Sequence, residues 1–228
     1  MPPLTLIVAS TTKLGIGHRG TLPWNLKHEL RYFARVTSRV PASLTRPGVR
    51  VQNAIVMGRR TWESIPERLR PLKGRVNVVL SSGPRREVEK SGAVWCTGLE
   101  EAIAVLRDME VGAGQDTEAQ SCGDGNGNGD GNGDGGEEGP VRIGRVFVIG
   151  GRAVYKAALE RPETKRVLLT KVYGDWDCDV FFPVDIEHEN GWERKKLNDF
   201  RDWVGEEVPE GRVKEGDVEF EYFMFERD

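Results

Sequence analysis

The stretch Leu22–Phe33, LPWNLKHELRYF, places one carboxylate inside an apolar helical pattern. The positions i, i+3, i+4 and i+7 of that pattern are Leu26, Glu29, Leu30 and Phe33. Glu29 therefore falls on the stripe that should face the interior. An ionised carboxylate is costly there, so it holds a proton more tightly or finds a partner. The alternative is a glutamate at the edge of the stripe that reaches water, which is the commoner arrangement.

Outward from this stretch, apolar runs bounded by turn residues predict seven strands, and helical spacing predicts four helices. The strands are expected near Thr5–Ala9, Ala54–Met57, Val76–Leu80, Ala93–Cys96, Val146–Ile149, Val167–Val172 and Val218–Phe225. The helices are expected near Leu26–Thr37, Thr61–Ile65, Leu99–Arg107 and Ala153–Leu159. Because strands and helices alternate, we predict an α/β sandwich around a mostly parallel sheet, with an antiparallel edge at the C-terminus.

Length and composition favour one intracellular domain. At 228 residues the chain is long enough for a single well-packed domain, expected over residues 1–228. The early apolar run Leu4–Ala9 is too short to span a membrane and has no basic leader, so no export signal or membrane anchor is expected. Cys96, Cys122 and Cys178 lack metal-ligand spacing, which favours reduced thiols, no bound metal and a cytoplasmic location.

Residues 112–139 form an acidic insertion without Lys or Arg. Its Gly123–Gly136 tract is of low complexity, and we expect a mobile surface loop. Residues 126–137 match the spacing of a calcium loop, but the first ligand is Asn and no helix pattern flanks it, so calcium binding is the disfavoured alternative. Outside the insertion the chain is net basic, which suits a small polyanion. It has no basic and aromatic stripe of the kind that binds nucleic acid.

A set of short motifs, taken in order, resembles the dihydrofolate reductase family. The motifs are Leu14-Gly15-Ile16-Gly17, Gly20-Thr21-Leu22-Pro23-Trp24, Glu29-Leu30-Arg31-Tyr32-Phe33, Met57-Gly58-Arg59-Arg60-Thr61-Trp62, Ser64-Ile65-Pro66, Arg70-Pro71-Leu72-Lys73-Gly74-Arg75, and Gly150-Gly151 followed by Ala153-Val154-Tyr155. Each motif alone is weak evidence, but the set runs through most of the chain. The resemblance implies an eight-stranded mixed sheet, about four principal helices and the eukaryotic type of the family, with fungal members among the candidate sources.

The resemblance implies NADPH as the cofactor. The expected cofactor-binding residues are Ala9, Ile16, Gly58, Arg59, Arg60, Thr61, Ser81, Ser82, Gly150, Gly151, Val154 and Tyr155. Arg59 corresponds to the residue that approaches the adenosine 2′-phosphate, and the Gly150-Gly151 pair to an unusual cis peptide that touches the cofactor. Ser82 stands where many vertebrate members of the family have Arg, so Arg85 or Arg86 is an alternative source of charge and the preference for NADPH over NADH stays open.

The residues themselves support an anion site on this side of the chain. Two motifs, Met57-Gly58-Arg59-Arg60-Thr61 and Gly150-Gly151, each follow a predicted strand and precede a predicted helix. The N-terminus of a helix favours binding of a phosphate. Glycine permits close approach of the backbone to a ligand. The plainer alternatives are a solvated pair for Arg59 and Arg60 and an ordinary tight turn for Gly150-Gly151.

The resemblance implies a catalytic group and a set of substrate contacts. Three residues are expected to take part in catalysis. Glu29 anchors the pterin, Thr170 contacts Glu29, and Trp24 orders a water molecule. Arg75 corresponds to a bidentate clamp on the α-carboxylate of the glutamate tail. The remaining substrate contacts are Ile7, Val8, Leu30, Phe33, Ile65, Leu72 and Ile149. For Ile7 and Leu72 a plain core role is an open alternative.

The implied activity is NADPH-dependent reduction of 7,8-dihydrofolate to 5,6,7,8-tetrahydrofolate by hydride transfer to the pteridine C=N. Glu29 and an ordered water would aid delivery of the proton, and residues 14–24 would form a lid or a set of static turns. Antifolate inhibitors are expected ligands, and the protein is expected to be a monomer. Two rivals remain: a related reductase of riboflavin synthesis, disfavoured by Glu29 together with Arg75, and a non-catalytic binding protein built around the acidic insertion.

Overall fold

The computed structural model describes residues 2–45, 47–83, 92–112 and 141–228. These residues form eleven strands. In chain order the strands are β1 Leu4–Thr11, β2 Gly15–Gly17, β3 Arg50–Gly58, β4 Arg75–Leu80, β5 Val94–Cys96, β6 Val141–Gly150, β7 Thr164–Val172, β8 Val180–Phe181, β9 Glu193–Arg194, β10 Val213–Glu215 and β11 Val218–Glu226. Their sequences are rich in Val, Ile and Leu, as expected for strands buried on both faces of a sheet.

The main sheet has the strand order β10-β11-β7-β1-β6-β3-β4-β5, and β9 pairs with the end of β11. The strands from β7 to β5 in this order pair in parallel. The last hairpin, β10 and β11, runs antiparallel along β7. The predicted α/β class, with a mostly parallel sheet and an antiparallel C-terminal edge, is confirmed. A small second sheet joins β2 to β8.

Helices cover both faces of the main sheet. The α-helices among the described residues are α1 Lys27–Ser38, α2 Arg59–Ser64, α3 Leu99–Gly112, α4 Arg152–Leu159 and α5 Leu197–Val204. One apolar cluster contains side chains of α3 and α4, and a second contains those of α1, α2 and α5. In the parts of the chain that the structure describes, no helix has the length and apolar character needed to cross a membrane.

The structure adds elements to those predicted. Helix α5 is present in addition to the four helices that the sequence predicted. Its eight residues hold only a short apolar pattern, with Phe200 and Val204 as the buried positions. The strands β2, β8, β9 and β10 have two or three residues, too few for alternation to be read from sequence. Of the insertion predicted over 112–139, only Gly112 lies within the described residues, as the end of α3. The mobile-loop and calcium-loop interpretations, and Cys122, fall outside them.

A buried amide ties the end of α1 to the sheet. The Asn53 side chain donates to the carbonyl oxygens of Thr37 at 3.0 Å and Arg39 at 2.8 Å. Its Oδ1 accepts from the Arg145 backbone N–H at 2.9 Å. A Cβ atom on Gly144 would lie 2.9 Å from that same Oδ1. Since Asn53 is fully buried, it cannot move aside without breaking these bonds.

We therefore predict that Gly144→Ala lowers the free energy of unfolding by about 1–3 kcal/mol, the usual cost of overpacking a tight site. Gly98→Ala is the control, because a Cβ there would have no heavy atom within 4 Å. Urea denaturation of both variants measures the difference. Equal stability of the two variants would contradict the role given to Asn53.

Candidate functional site

Glu29 lies in the first turn of α1 and is only 5% exposed. Thr170 Oγ1 donates to Glu29 Oε1 at 3.3 Å, the contact expected from the sequence. The pKa of Glu29 is raised to about 7: burial is the largest cause, the hydrogen bond from Thr170 lowers it, and repulsion from Glu215 adds to the rise. The interpretation as a buried acid is therefore confirmed over that of a glutamate reaching water.

The buried face of α1 differs from the predicted stripe. Glu29, Tyr32 and Val36 are buried, whereas Leu30 is 47% exposed and Phe33 is half-buried. The prediction that Leu30 faces the interior is therefore wrong. The helix is rotated so that an aromatic side chain, Tyr32, packs inward on Tyr222 of β11 with ring centroids 4.3 Å apart. Leu30 is left as an exposed apolar side chain one residue from the buried acid.

Several of the expected apolar contacts share one cluster. Half-buried side chains pack against the same cluster that contains Ile7 and Trp24; they are Ala9, Phe33, Ile65, Leu72 and Ile149. Partial exposure leaves them surface to offer a ligand, while Ile7 is 4% exposed and belongs to the core. The Val8 side chain lies in the opposite cluster, as strand alternation requires. Val8 can reach a site on the Glu29 face only through its main chain.

Trp24 is 6% exposed and packs edge-on against Trp176, with ring centroids 5.7 Å apart. Its Nε1 is buried and has no hydrogen-bond partner among the described residues. A buried donor normally finds a partner, and water is the usual one where protein offers none. Trp24 thus has the unused donor that an ordered water requires.

Arg75 begins β4 with its guanidinium partly buried. Nη1 donates to Thr37 Oγ1 at 2.6 Å and Nε to the Lys73 carbonyl at 3.1 Å. No carboxylate pairs with it in the described ranges, and burial lowers its pKa. A guanidinium that is desolvated without a counter-ion favours an anionic ligand.

The turn before Arg75 is held by Asn77. Asn77 Oδ1 accepts from the Leu72 N–H at 2.9 Å, and Nδ2 donates to the carbonyls of Leu72 at 2.9 Å and Arg75 at 2.8 Å. Asn77 is 3% exposed, so these bonds satisfy a buried amide. Two expected substrate contacts, Leu72 and Arg75, are thus fixed relative to each other by a residue that the sequence reasoning missed.

At the ends of the neighbouring strands β3 and β6, two glycine junctions meet. Gly58 precedes α2 and Gly151 precedes α4, and neither helix has a side-chain cap. A Cβ on Gly58 would lie 3.6 Å from the Gly151 nitrogen, and one on Gly151 would lie 3.4 Å from Thr61 Oγ1. The Gly150–Gly151 peptide is cis, as expected. Two uncapped helix N-termini side by side can bind a phosphorylated group.

Arg59 lies beside the turn that follows β4. Its Nε donates to Glu63 Oε1 at 2.6 Å, and its Nη1 is 3.0 Å from the position of a Cβ on Gly83. The Gly83 N–H donates to Ser81 Oγ at 3.1 Å, while Ser82 is exposed. The expected second wall therefore adjoins Arg59. Arg60 is exposed in the same helix, and Arg85 and Arg86 lie outside the described residues.

Tyr155 and Val154 are buried in the cluster beneath α4. The Tyr155 hydroxyl donates to the Ile7 carbonyl at 2.8 Å, and its ring meets Phe182 edge-on at 5.2 Å. Tyr155 is thus a buried link between α4 and β1, and its expected contact with the cofactor stays a prediction. Val154 Cγ2 would be 3.2 Å from a Cβ on Gly58, so it packs behind the glycine junction.

The segment expected as a lid is partly fixed. Ile16 lies in β2, which pairs with β8. Lys13 Nζ donates to Asp175 at 2.6 Å, and the Arg19 N–H donates to Asp179 Oδ2 at 2.9 Å. These ties join residues about 160 positions apart, and no local pattern signals them.

The model for the dihydrofolate reductase family matches residues 3–113 and 139–203. The dihydrofolate reductase of Pneumocystis carinii is 40% identical over 228 residues, covering 99% of this chain and 97% of that protein. The dihydrofolate reductase of Gallus gallus is 34% identical over 188 residues, covering 82% of this chain and 80% of that protein. Among solved structures, Schistosoma mansoni dihydrofolate reductase is similar with a TM-score of 0.66 and 29% identity, covering 100% of this chain and 99% of that one.

The raised pKa of Glu29 predicts a pH-dependent cost in stability. Its pKa lies above the usual 4.5, so the group favours the folded state below that pH, and the advantage is lost as pH rises through about 7. Glu29→Gln should therefore raise the free energy of unfolding at pH 8 by roughly 2–3 kcal/mol, and change it little near pH 4.5.

Urea denaturation at both pH values measures this difference. The matched control is Glu210→Gln, since Glu210 is exposed and has no hydrogen bond or ion pair within the described parts of the chain. A Glu29→Gln variant that is no more stable than the wild type at pH 8 would show that the carboxylate is not held at an energetic cost.

Proposed function

The chain belongs to the dihydrofolate reductase family, and we propose that it reduces 7,8-dihydrofolate to 5,6,7,8-tetrahydrofolate with NADPH as the cofactor. The observation that carries this proposal is Glu29, a buried carboxyl with a raised pKa, bonded to Thr170 and flanked by the exposed side chain of Leu30. A flat, polar heterocycle needs one hydrogen-bonding anchor within apolar walls. Glu29 is the anchor in this proposal.

The proposed role of Glu29 is to bind the amidine-like edge of the pterin and to favour its protonated form. A carboxyl whose pKa is about 7 can hold or share a proton at neutral pH. Trp24 offers a buried N–H without a protein partner among the described residues, which suits an ordered water beside the substrate. The proton reaches the imine nitrogen from that water, and Glu29 assists without passing it directly.

The apolar side chains orient the substrate ring. When bound, the reduced nicotinamide supplies the hydride for the pteridine C=N. Ala9 of β1 and Ile149 of β6 are half-buried side chains that pack against the apolar cluster of Ile7, on neighbouring strands. Holding two rings in register and excluding water is the protein's main contribution to such a transfer.

Arg75 is the proposed clamp for the α-carboxylate of the glutamate tail. Its partly buried guanidinium is braced by Thr37 and lacks a carboxylate partner in the described ranges. Asn77 sets the turn that presents it. A substrate with a carboxylate would supply the missing counter-ion.

The residues at the glycine junctions fit a phosphorylated dinucleotide. A side chain at Gly58 or Gly151 would fill the space between the two helix N-termini, so glycine keeps the backbone N–H groups open to a pyrophosphate. Thr61 borders that space, and Arg59 with Ser81 lies where a 2′-phosphate would be read in this proposal. We further propose a cytoplasmic monomer whose single domain also binds antifolate inhibitors at the Glu29 site.

A steady-state assay that follows NADPH absorbance, with dihydrofolate present or omitted, tests the proposed function. We expect oxidation of NADPH only when dihydrofolate is present, and tetrahydrofolate as the product. Absence of turnover with folded protein would refute the proposal.

Arg75→Leu should weaken dihydrofolate binding by about 2–5 kcal/mol and NADPH binding far less, because only the substrate carries the proposed carboxylate. Arg75→Lys keeps the charge but loses the planar fork, so its affinity for dihydrofolate should lie between those of the wild type and Arg75→Leu. Fluorescence titration with each ligand gives both constants. Equal weakening of the two ligands would place Arg75 outside the substrate site.

Arg59→Ala should weaken NADPH by about 1.5–3 kcal/mol and leave NADH almost unchanged, since the two cofactors differ only at the 2′-phosphate. Arg60→Ala is the matched neighbour, and it should weaken both cofactors alike if it follows the shared phosphates. Binding constants for both cofactors decide. Parallel loss of NADPH and NADH in Arg59→Ala would move 2′-phosphate recognition to Ser82, Arg85 or Arg86.

A further inference from the structure

Helix α1 is capped from the far end of the chain. Leu26, its N-cap residue, supplies no side-chain hydrogen bond. Instead, the Glu215 carboxylate accepts from the Lys27 N–H at 2.8 Å through Oε1 and from the His28 N–H at 2.9 Å through Oε2. Glu215 is the last residue of β10, and Gly216, with φ +61°, makes the turn into β11.

This cap acts on the turn that carries Glu29. The free N–H groups of a first turn form the positive pole of the helix, which favours an ionised carboxylate nearby. Glu215 occupies two of those N–H groups and brings a negative charge of its own. Both effects disfavour ionisation of Glu29, in agreement with the Coulombic repulsion between the two carboxylates.

Few other ionisable groups face Glu29 in the described structure. They are Tyr32 of its own helix, Tyr155 of α4 and Tyr222 of β11. Next to Glu29 in the chain, His28 has its Nδ1 atom 3.4 Å from the Tyr222 hydroxyl. Burial raises the pKa of each of these tyrosines, so they stay neutral across the working range. Thr170 of β7 does not titrate. Glu215 is therefore the charged group that the fold brings to Glu29.

We propose that Glu215 is a positioning residue for the reaction: from the C-terminal hairpin it fixes the first turn of α1 and, with it, the depth and protonation of Glu29. The inference rests on the proposed function for its consequence in turnover, but the effect on Glu29 is a property of the free protein. Glu215 touches neither substrate nor cofactor in this scheme and acts through Glu29.

The test is titration of the Glu29 carboxyl in the free, full-length protein by NMR with carboxyl-labelled glutamate. Glu29→Gln identifies the signal. In Glu215→Gln, which keeps the shape and removes the charge, the midpoint should fall by about 0.3–0.7 pH unit. Above that midpoint, kcat/KM for dihydrofolate should fall about two- to fivefold.

Asp217→Asn is the matched control, because it removes a charge from the same hairpin. Asp217 is exposed and has no hydrogen bond to the described residues of α1. In Asp217→Asn, the midpoint of the Glu29 titration and the turnover should equal those of the wild type. Glu215→Asp, which keeps the charge on a shorter side chain, should restore part of the shift and decides the case if Glu215→Gln fails to fold.

An unchanged or raised midpoint in Glu215→Gln would overturn the proposal, as would an equal shift in Asp217→Asn. Lost turnover with an unchanged midpoint would make Glu215 a structural cap only, and this too would overturn it. If the wild type does not reduce dihydrofolate, the proposed function fails, while the titration still decides the role of Glu215.

Discussion

The burial of one carboxyl between α1 and the sheet is the constraint on which the site depends. Glu29 is 5% exposed and its pKa is raised to about 7, so the fold maintains it at an energetic cost. Thr170 bonds it from β7, and the pairing of Thr170 with Ala9 places that bond beside the central strand. Glu215 holds the helix turn from the final hairpin. A one-residue slip of β7 against β1 would turn Thr170 to the other face.

The two faces of the sheet have different roles. The face covered by α1, α2 and α5 holds Glu29, Trp24 and the half-buried apolar side chains. The face covered by α3 and α4 is packed core, and Tyr155 links it to Ile7 across β1. The glycine junctions at Gly58 and Gly151 lie where strands end and helices begin, so backbone N–H groups open there without side chains in the way. In open α/β sheets, ligands generally bind at the carboxyl ends of the strands.

Sequence reasoning captured the parts of the fold and site whose signals are local. The apolar runs located every long strand, and helical spacing put Glu29 on the inner face of α1. Sequence reasoning failed where tertiary packing decides: Leu30 faces outward because Tyr32 packs on Tyr222. Contacts between distant residues left no local trace. Glu215 and Lys27 are 188 positions apart, and Asn77 resembles any polar residue in a strand until its bonds to the Leu72–Arg75 turn are known.

The most direct test of this account is the pH dependence of hydride transfer in single turnovers, for the wild type and for Glu29→Gln. The wild-type rate should fall as pH rises through the neutral range, where Glu29 loses its proton. The variant should fold, lose most of its rate at neutral pH, and recover in part at low pH, where the substrate is already protonated. A variant that transfers hydride at a near-normal rate at neutral pH would contradict the central role of the buried carboxyl.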